Sequence, residues 1–460
     1  MIFASFMFLF WFLPLFLAVY YLPLPVRARN LWLILASLGF YGWWLPRYVP
    51  LMLVTPVLDW WCARRMGAVD SGRRRKAWLQ LSITANLGLL GWFKYANLLA
   101  ATWNELGIAP IPWVEVLLPI GISFYTFQSM SYTIDVYRGE VQPVRSLFDL
   151  LSYVTMFPQL VAGPIVRYRD VQQQITGRRH DTERFGDGVF LLAIGLAKKV
   201  LIADQVAPIV KQAFELTAPG LVEAWSGVIA YAVQIYFDFS GYSDMAIGLG
   251  LMVGFTFPAN FRSPYRAHSI TEFWRRWHIS LSTWLRDYLY VSLGGNRRGP
   301  VRTYVNLAVT MLLGGLWHGA QWTFLLWGAW QGAFLILERR LGRTAPYDFL
   351  PHWLQVGCTF VVVLFGWAIF RAKDMAGLLA IWRGMAGWNG VGAPVVLPFL
   401  GGVAHAMIAV GLLIAFCAPR SETLVRRFHP VTMAFVFALF LLAVGHLLAT
   451  DHSPFLYFQF

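Results

Sequence analysis

His318 stands in Leu312-Leu313-Gly314-Gly315-Leu316-Trp317-His318-Gly319-Ala320, flanked by residues apolar enough to sit inside a bilayer. A charged side chain at the centre of a membrane helix costs about 2.5 to 3.5 kcal/mol on insertion scales, so an ionisable group there marks a water-filled path or a reaction site. Two readings fit the residue itself: a general base in a tunnel across the membrane, or a neutral ring satisfied by a backbone carbonyl. The first has a definite chemistry. A hydroxyl is a poor nucleophile at neutral pH, and a neutral imidazole within hydrogen-bond reach can take its proton during attack.

Three further stretches carry chemistry-bearing residues. Tyr236-Phe237-Asp238-Phe239-Ser240-Gly241-Tyr242-Ser243-Asp244 sets two carboxylates six residues apart in an apolar run, with Tyr242 between them. Six residues make about 1.7 helical turns, so the two acids face different sides of an unbroken helix. They read either as a polar substrate path that orients a histidine or a hydroxyl, with Trp317 on the same path, or as structural carboxylates that cap a broken helix or pair with arginines. Ser269 to Tyr288 reads as one amphipathic helix: Ser269 and Glu272 have capping-box spacing, and Trp274, Trp277, Leu281, Trp284 and Leu285 recur at three and four. Its Arg275, Arg276 and Arg286 suit anionic headgroups or the phosphates of a nucleotide-bearing acyl donor, with Trp277 beside them. His278 lies at the edge of this stripe, where a histidine is interfacial or catalytic. The tail Ser453-Pro454-Phe455-Leu456-Tyr457-Phe458-Gln459-Phe460 is either an interfacial aromatic belt or a mobile arm whose Tyr457 accepts an acyl group.

These residues need a membrane scaffold, and the composition supplies one. The 460-residue chain is 58% hydrophobic, 17% aromatic and 13% charged, far more apolar than a soluble protein. Its net charge of +14 comes from Lys and Arg in short runs between apolar segments, the bias of cytoplasmic loops, so no nucleic-acid partner is expected. Cys62, Cys358 and Cys417 stand singly, which supports neither a disulfide framework nor a thiolate metal site, and no metal is expected. Apolar spans are expected at 2–22, 30–45, 48–62, 77–99 and 114–137, the first a retained helix with its amino terminus outside. The loop holding Arg64, Arg65, Arg73, Arg74, Arg75 and Lys76 then falls in the cytoplasm. Segment 147–166, with Pro158 and Gly163-Pro164, reads as re-entrant. Segment 185–203 reads as a span, and 225–257 as a broken or steeply tilted helix. Residues 262–302 form a basic cytoplasmic stretch, and five further spans end at 448. The clusters Arg339, Arg340, Arg343 and Arg426, Arg427 fall inside. The expected fold is an all-α polytopic integral membrane protein of roughly 10 to 12 transmembrane helices with re-entrant and interfacial pieces. It is a single membrane domain over 1–460, made of N-terminal helices (2–137), a core (147–338), C-terminal helices (339–448) and an extracytoplasmic tail (449–460).

Tyr236 to Asp244, Thr271 to Tyr290 with Gly294-Gly295-Asn296-Arg297, and Leu316-Trp317-His318-Gly319 closely resemble the membrane-bound O-acyltransferase (MBOAT) family, in its branch of bacterial alginate O-acetylation. Leu118 to Tyr125, Asp135 to Gly139 and Gly163-Pro164 extend the match. The resemblance covers nearly the whole chain, most tightly from 118 to 330. It implies tilted helices around a central tunnel, with the family's invariant histidine at His318 and its second catalytic-region histidine at His278. It further implies a multi-pass protein of the bacterial inner membrane that passes acetyl from a cytoplasmic donor, acetyl-CoA, toward an exopolysaccharide such as alginate. The donor is transient, so no permanently bound cofactor is expected. A separate extracytoplasmic acetyltransferase would complete the transfer. The tail resembles that of the small membrane partner in teichoic-acid D-alanylation, which implies Tyr457 as an acyl relay. Peptidoglycan, cellulose or lipid as acceptor, and a transporter without chemistry, are the alternatives.

Overall fold

The computed structural model describes residues 1–107, 111–342, 345–393, 401–425, 429–450 and 456. Among them there are helices and no strand. Two units emerge, one of Met1–Leu192 with Met245–Pro258 and one of Ala193–Asp244 with Ala259–Phe460.

In the first unit, α1 (Leu13–Tyr20) follows a π-helical turn, Met7–Phe12, and leads to α2 (Val26–Gly42), α3 (Val49–Gly67) and α4 (Gly72–Glu105). Next come α5 (Ile122–Arg138), α6 (Leu147–Val154), α7 (Phe157–Leu160) and α8 (Tyr168–Gly177). The span expected at 114–137 starts late because Gly121 holds the chain in a left-handed turn (φ 74°) immediately before α5, where a Cβ would stand 2.5 Å from the Leu160 carbonyl oxygen. A buried carboxylate ties three helices together. Asp59 of α3 accepts from Ser82 and Asn86 of α4 and from Ser129 of α5, satisfying an acid that hydrocarbon would otherwise penalise. The segment expected to be re-entrant breaks into α6 and α7 at Thr155 and Met156, and α7 is wholly buried.

Helix α9 (Thr182–Ala197) continues through a π-helical turn, Lys198–Ala203, into α10 (Asp204–Glu215). Helix α11 (Leu221–Met252) then runs 32 residues without interruption, about 48 Å at 1.5 Å per residue. Of the two options expected for 225–257, a broken or a steeply tilted helix, the unbroken run to Met252 removes the first. Gly241 serves close packing instead: a Cβ there would lie 2.6 Å from the Gly195 carbonyl oxygen. Asp238 and Asp244 on α11 pair with lysines and cap no helix end.

The remaining elements belong to the second unit. The single amphipathic helix expected over 269–288 is also corrected: the chain forms α12 (Ile270–Arg276), stops at Trp277 and His278, restarts as α13 (Ile279–Trp284) and tightens into a π-helical stretch, Leu285–Tyr290. Its aromatic stripe does not lie on a membrane surface. Trp274, Trp277, Leu281, Trp284 and Leu285 are all buried, most of them against aromatic neighbours rather than headgroups. After it come α14 (Gly299–His318), α15 (Trp322–Leu341), α16 (His352–Arg371), α17 (Met375–Met385), α18 (Gly401–Cys417), α19 (Ser421–Val425) and α20 (Pro430–Thr450). Helices α16 and α20 are long and apolar enough to cross a membrane.

The α14–α15 hairpin determines where His318 lies. Its helices meet backbone to backbone: a Cβ on Gly328 would stand 2.4 Å from the Met311 carbonyl oxygen, and one on Gly315 would stand 2.2 Å from that of Phe324. Neither carbonyl can swing aside without breaking its helix, so Gly328→Ala is expected to lower stability by about 1–3 kcal/mol. Thermal unfolding in detergent measures this, and an unchanged midpoint would mean that the hairpin is looser than it stands here.

Candidate active site

His318 is the last residue of α14, where three residues, Gly319 to Gln321, turn the chain into α15. It is 6% exposed and boxed by rings: Trp317 and Trp327 at 5.1 Å between centroids, Phe370 at 5.2 Å and His278 at 6.4 Å. The Trp327 and Phe370 contacts are edge-on, at 86° and 74°, which fixes the plane of the imidazole.

The break that ends α12 brings the second histidine here. His278 is fully buried and left-handed (φ 41°, ψ 54°), a conformation that costs a non-glycine residue free energy and persists only where surroundings impose it. Phe239 of α11 meets its ring edge-on at 4.7 Å and Trp317 lies at 6.0 Å. The imposition comes from Asn260, whose carbonyl oxygen accepts the Ile279 amide at 2.9 Å and whose side-chain oxygen lies 3.1 Å from His278 Nδ1. Nothing in the sequence singled Asn260 out; it occurs in Phe257-Pro258-Ala259-Asn260, which has no chemical motif.

Other residues of the Tyr236–Asp244 stretch are held elsewhere. Asp238 pairs with Lys199 at 2.6 Å, and Asp244 pairs with Lys198 at 2.6 Å and accepts from Ser421 at 2.8 Å. Of the two structural options the sequence left open, pairing is observed, with lysines of the π-helical turn rather than arginines. Tyr242 is buried on the same helix. From this stretch, Phe239 touches His278 and Ser243 reaches Asn260, accepting from Asn260 Nδ2 at 2.9 Å.

The arginines divide. Arg276 donates to Glu272 at 2.5 Å, and the exposed Arg286 donates to its neighbour Asp287 at 2.7 Å. Arg275 is exposed and lines a cavity of about 600 Å³ with Arg339, His268, Thr271, Glu272 and Glu338. Trp277 is core, ringed by Phe261, Phe273 and Trp367 at 5.0, 5.6 and 4.8 Å. Ser269 does cap α12 by accepting the Glu272 amide at 3.1 Å, while the Glu272 carboxylate accepts the His268 amide at 2.9 Å rather than that of Ser269. Tyr457, Arg343, Arg426 and Arg427 lie outside the described residues. Leu456 lies within them; it is buried, and its amide donates to Asp238 Oδ2 at 3.1 Å.

A sequence model of the membrane-bound O-acyltransferase family matches residues 78–382. The chain is 51% identical to a protein of Azotobacter vinelandii named "Probable alginate O-acetylase AlgI" over 382 residues, covering 82% of this chain and 76% of that one. It is 44% identical to the protein of the same name from Pseudomonas putida, with both chains covered in full. A peptidoglycan O-acetyltransferase of Helicobacter pylori is 35% identical over all of this chain and 98% of its own length.

Proposed function

We propose, from the premise that this chain belongs to the membrane-bound O-acyltransferase family, that it is a multi-pass protein of the bacterial inner membrane that takes acetyl from a cytoplasmic thioester, acetyl-CoA, and passes it outward for O-acetylation of an exopolysaccharide such as alginate. The observation that carries this reading is the second buried imidazole, His278, held beside His318 in one aromatic box.

In this scheme His318 is the general base. A hydroxyl attacks the thioester carbonyl, its proton passes to the imidazole, the C–S bond breaks as the C–O bond forms, and the proton ends on the leaving thiolate. With the rings packed around it His318 is only 6% exposed, which limits access of bulk water as a competing nucleophile. The cavity bearing Arg275, Arg339 and His268 suits the phosphates of a nucleotide donor, with Arg276 and Arg286 nearby along the chain. Alginate is favoured over peptidoglycan as the polymer by the higher identity to proteins named for alginate, 51% against 35%.

Tyr457 is the proposed acyl relay. Its neighbour Leu456 is buried and docks its amide on Asp238, a buried carboxylate of α11. Acetyl then passes from the tyrosyl ester to a separate extracytoplasmic acetyltransferase. Incubating purified protein with acetyl-CoA and mapping acetyl by mass spectrometry tests this: the tail peptide carries acetyl in the native chain, and Tyr457→Phe loses it while CoA release falls by at least about 10²-fold. An unmodified tail in an active protein removes the relay and leaves direct transfer to a partner.

A further inference from the structure

Asn260 precedes α12 and is buried, and its neighbours determine which way its amide is turned. The Ser280 amide nitrogen lies 3.3 Å from Oδ1 and can only donate, so the atom facing it is the carbonyl oxygen and not the NH2 group. The Ser280 hydroxyl donates to the same oxygen at 2.9 Å, and Nδ2 on the other side donates to Ser243 Oγ at 2.9 Å. The backbone is tied as well, by Ile279 N–H to Asn260 O and by Arg262 N–H to Arg276 O, both at 2.9 Å.

An oxygen so fixed has a consequence for His278. Asn260 Oδ1 bears no hydrogen, so the His278 nitrogen 3.1 Å from it, Nδ1, carries the proton. In the neutral ring Nε2 is then a lone pair. It is buried and has no hydrogen-bond partner among the described residues. Native structures seldom leave a buried acceptor unused, and one beside an enzyme's reacting group is poised for a ligand. We infer that Asn260 is a positioning residue for acyl transfer: it holds His278 as the Nδ1–H tautomer, so that Nε2 accepts a hydrogen bond from a substrate O–H or N–H beside His318. In this tautomer Nε2 has no hydrogen to give, so the neutral His278 does not act as an Nε2–H oxyanion donor. This rests on the proposal above that the two histidines form the reaction site.

Steady-state acetyl transfer by the purified full-length protein tests the inference. Asn260→Leu keeps volume and removes the acceptor; kcat is expected to fall about 10²-fold with KM for the donor unchanged. Asn260→Asp keeps an oxygen facing Nδ1, and the Ser243 hydroxyl can reverse to donate, so this variant stays within about tenfold of native. The diagnostic arm is the double variant: Asn260→Leu added to His278→Ala costs nothing further, because a residue acting only through His278 has nothing left to position. A native rate in Asn260→Leu, or losses that multiply in the double variant, overturns the inference. Should Asn260→Leu fail to fold, a folded Asn260→Asp that loses about 10²-fold does the same, and one within tenfold supports it. If His278→Ala and His318→Ala both transfer acetyl at the native rate, the underlying site assignment fails instead.

Discussion

His318→Ala is expected to lower kcat for acetyl transfer by about 10³-fold, the middle of the range for a positioned acid–base group, while the protein still folds and inserts. Folding is expected to survive because the rings of Trp317, Trp327 and Phe370, which meet the imidazole edge-on, remain to line the cavity that truncation leaves. His318→Gln checks the cause: it refills part of the space and returns hydrogen-bonding capacity but cannot take the proton, so it remains as slow as alanine. CoA release and acetyl on the acceptor are followed together. If both variants transfer acetyl normally, His318 is not the base. If a polymer or substrate is still exported while its acetylation stops, the transporter alternative fails and the enzyme reading stands.

What the sequence exposed about this site follows from how local each signal is. His318 was visible because an imidazole in an apolar helical run is anomalous on sight, and the helix that ends on it is formed by those same residues. The break at His278 was hidden because the 3.6-residue periodicity of Trp274, Trp277, Leu281 and Trp284 runs straight through it. What ends α12 is a hydrogen bond from the Ile279 amide to Asn260, a tertiary tie that no periodicity records. The same stripe was ambiguous in burial: tryptophans at helical spacing suit a membrane surface and a protein core equally, and Trp277 among Phe273, Phe261 and Trp367 is core. Asp238 and Asp244 announced themselves as polar residues in an apolar segment, yet their partners are two adjacent lysines some forty residues earlier, a pairing set by how α11 packs on the π-helical turn. The overall class was legible from composition alone, since 58% hydrophobic residues exceed what one soluble core can bury.

Lys199→Met is expected to be among the most destabilising single changes in the second unit, by about 3–5 kcal/mol. Lys199 Nζ lies 2.6 Å from Asp238 and 2.5 Å from Asp204, and the side chains of Lys199 and Asp238 are only 4% and 3% exposed. Methionine fills much the same volume, so packing is preserved and the effect isolates the charge. Asp204, 21% exposed, can turn toward solvent, but Asp238 has no such escape and is left in an apolar core without this cation. Its remaining described donor is the Leu456 amide, which is too weak a partner to replace an ammonium. Lys199→Met with Asp238→Asn removes both charges and is expected to recover most of the loss, because the cost comes from one unpaired ion and not from the lost attraction. Thermal unfolding in detergent, followed by tryptophan fluorescence, compares the three proteins. A single variant with the native midpoint would mean that water already reaches Asp238. A double variant no better than the single would show that the loss does not come from leaving Asp238 unpaired.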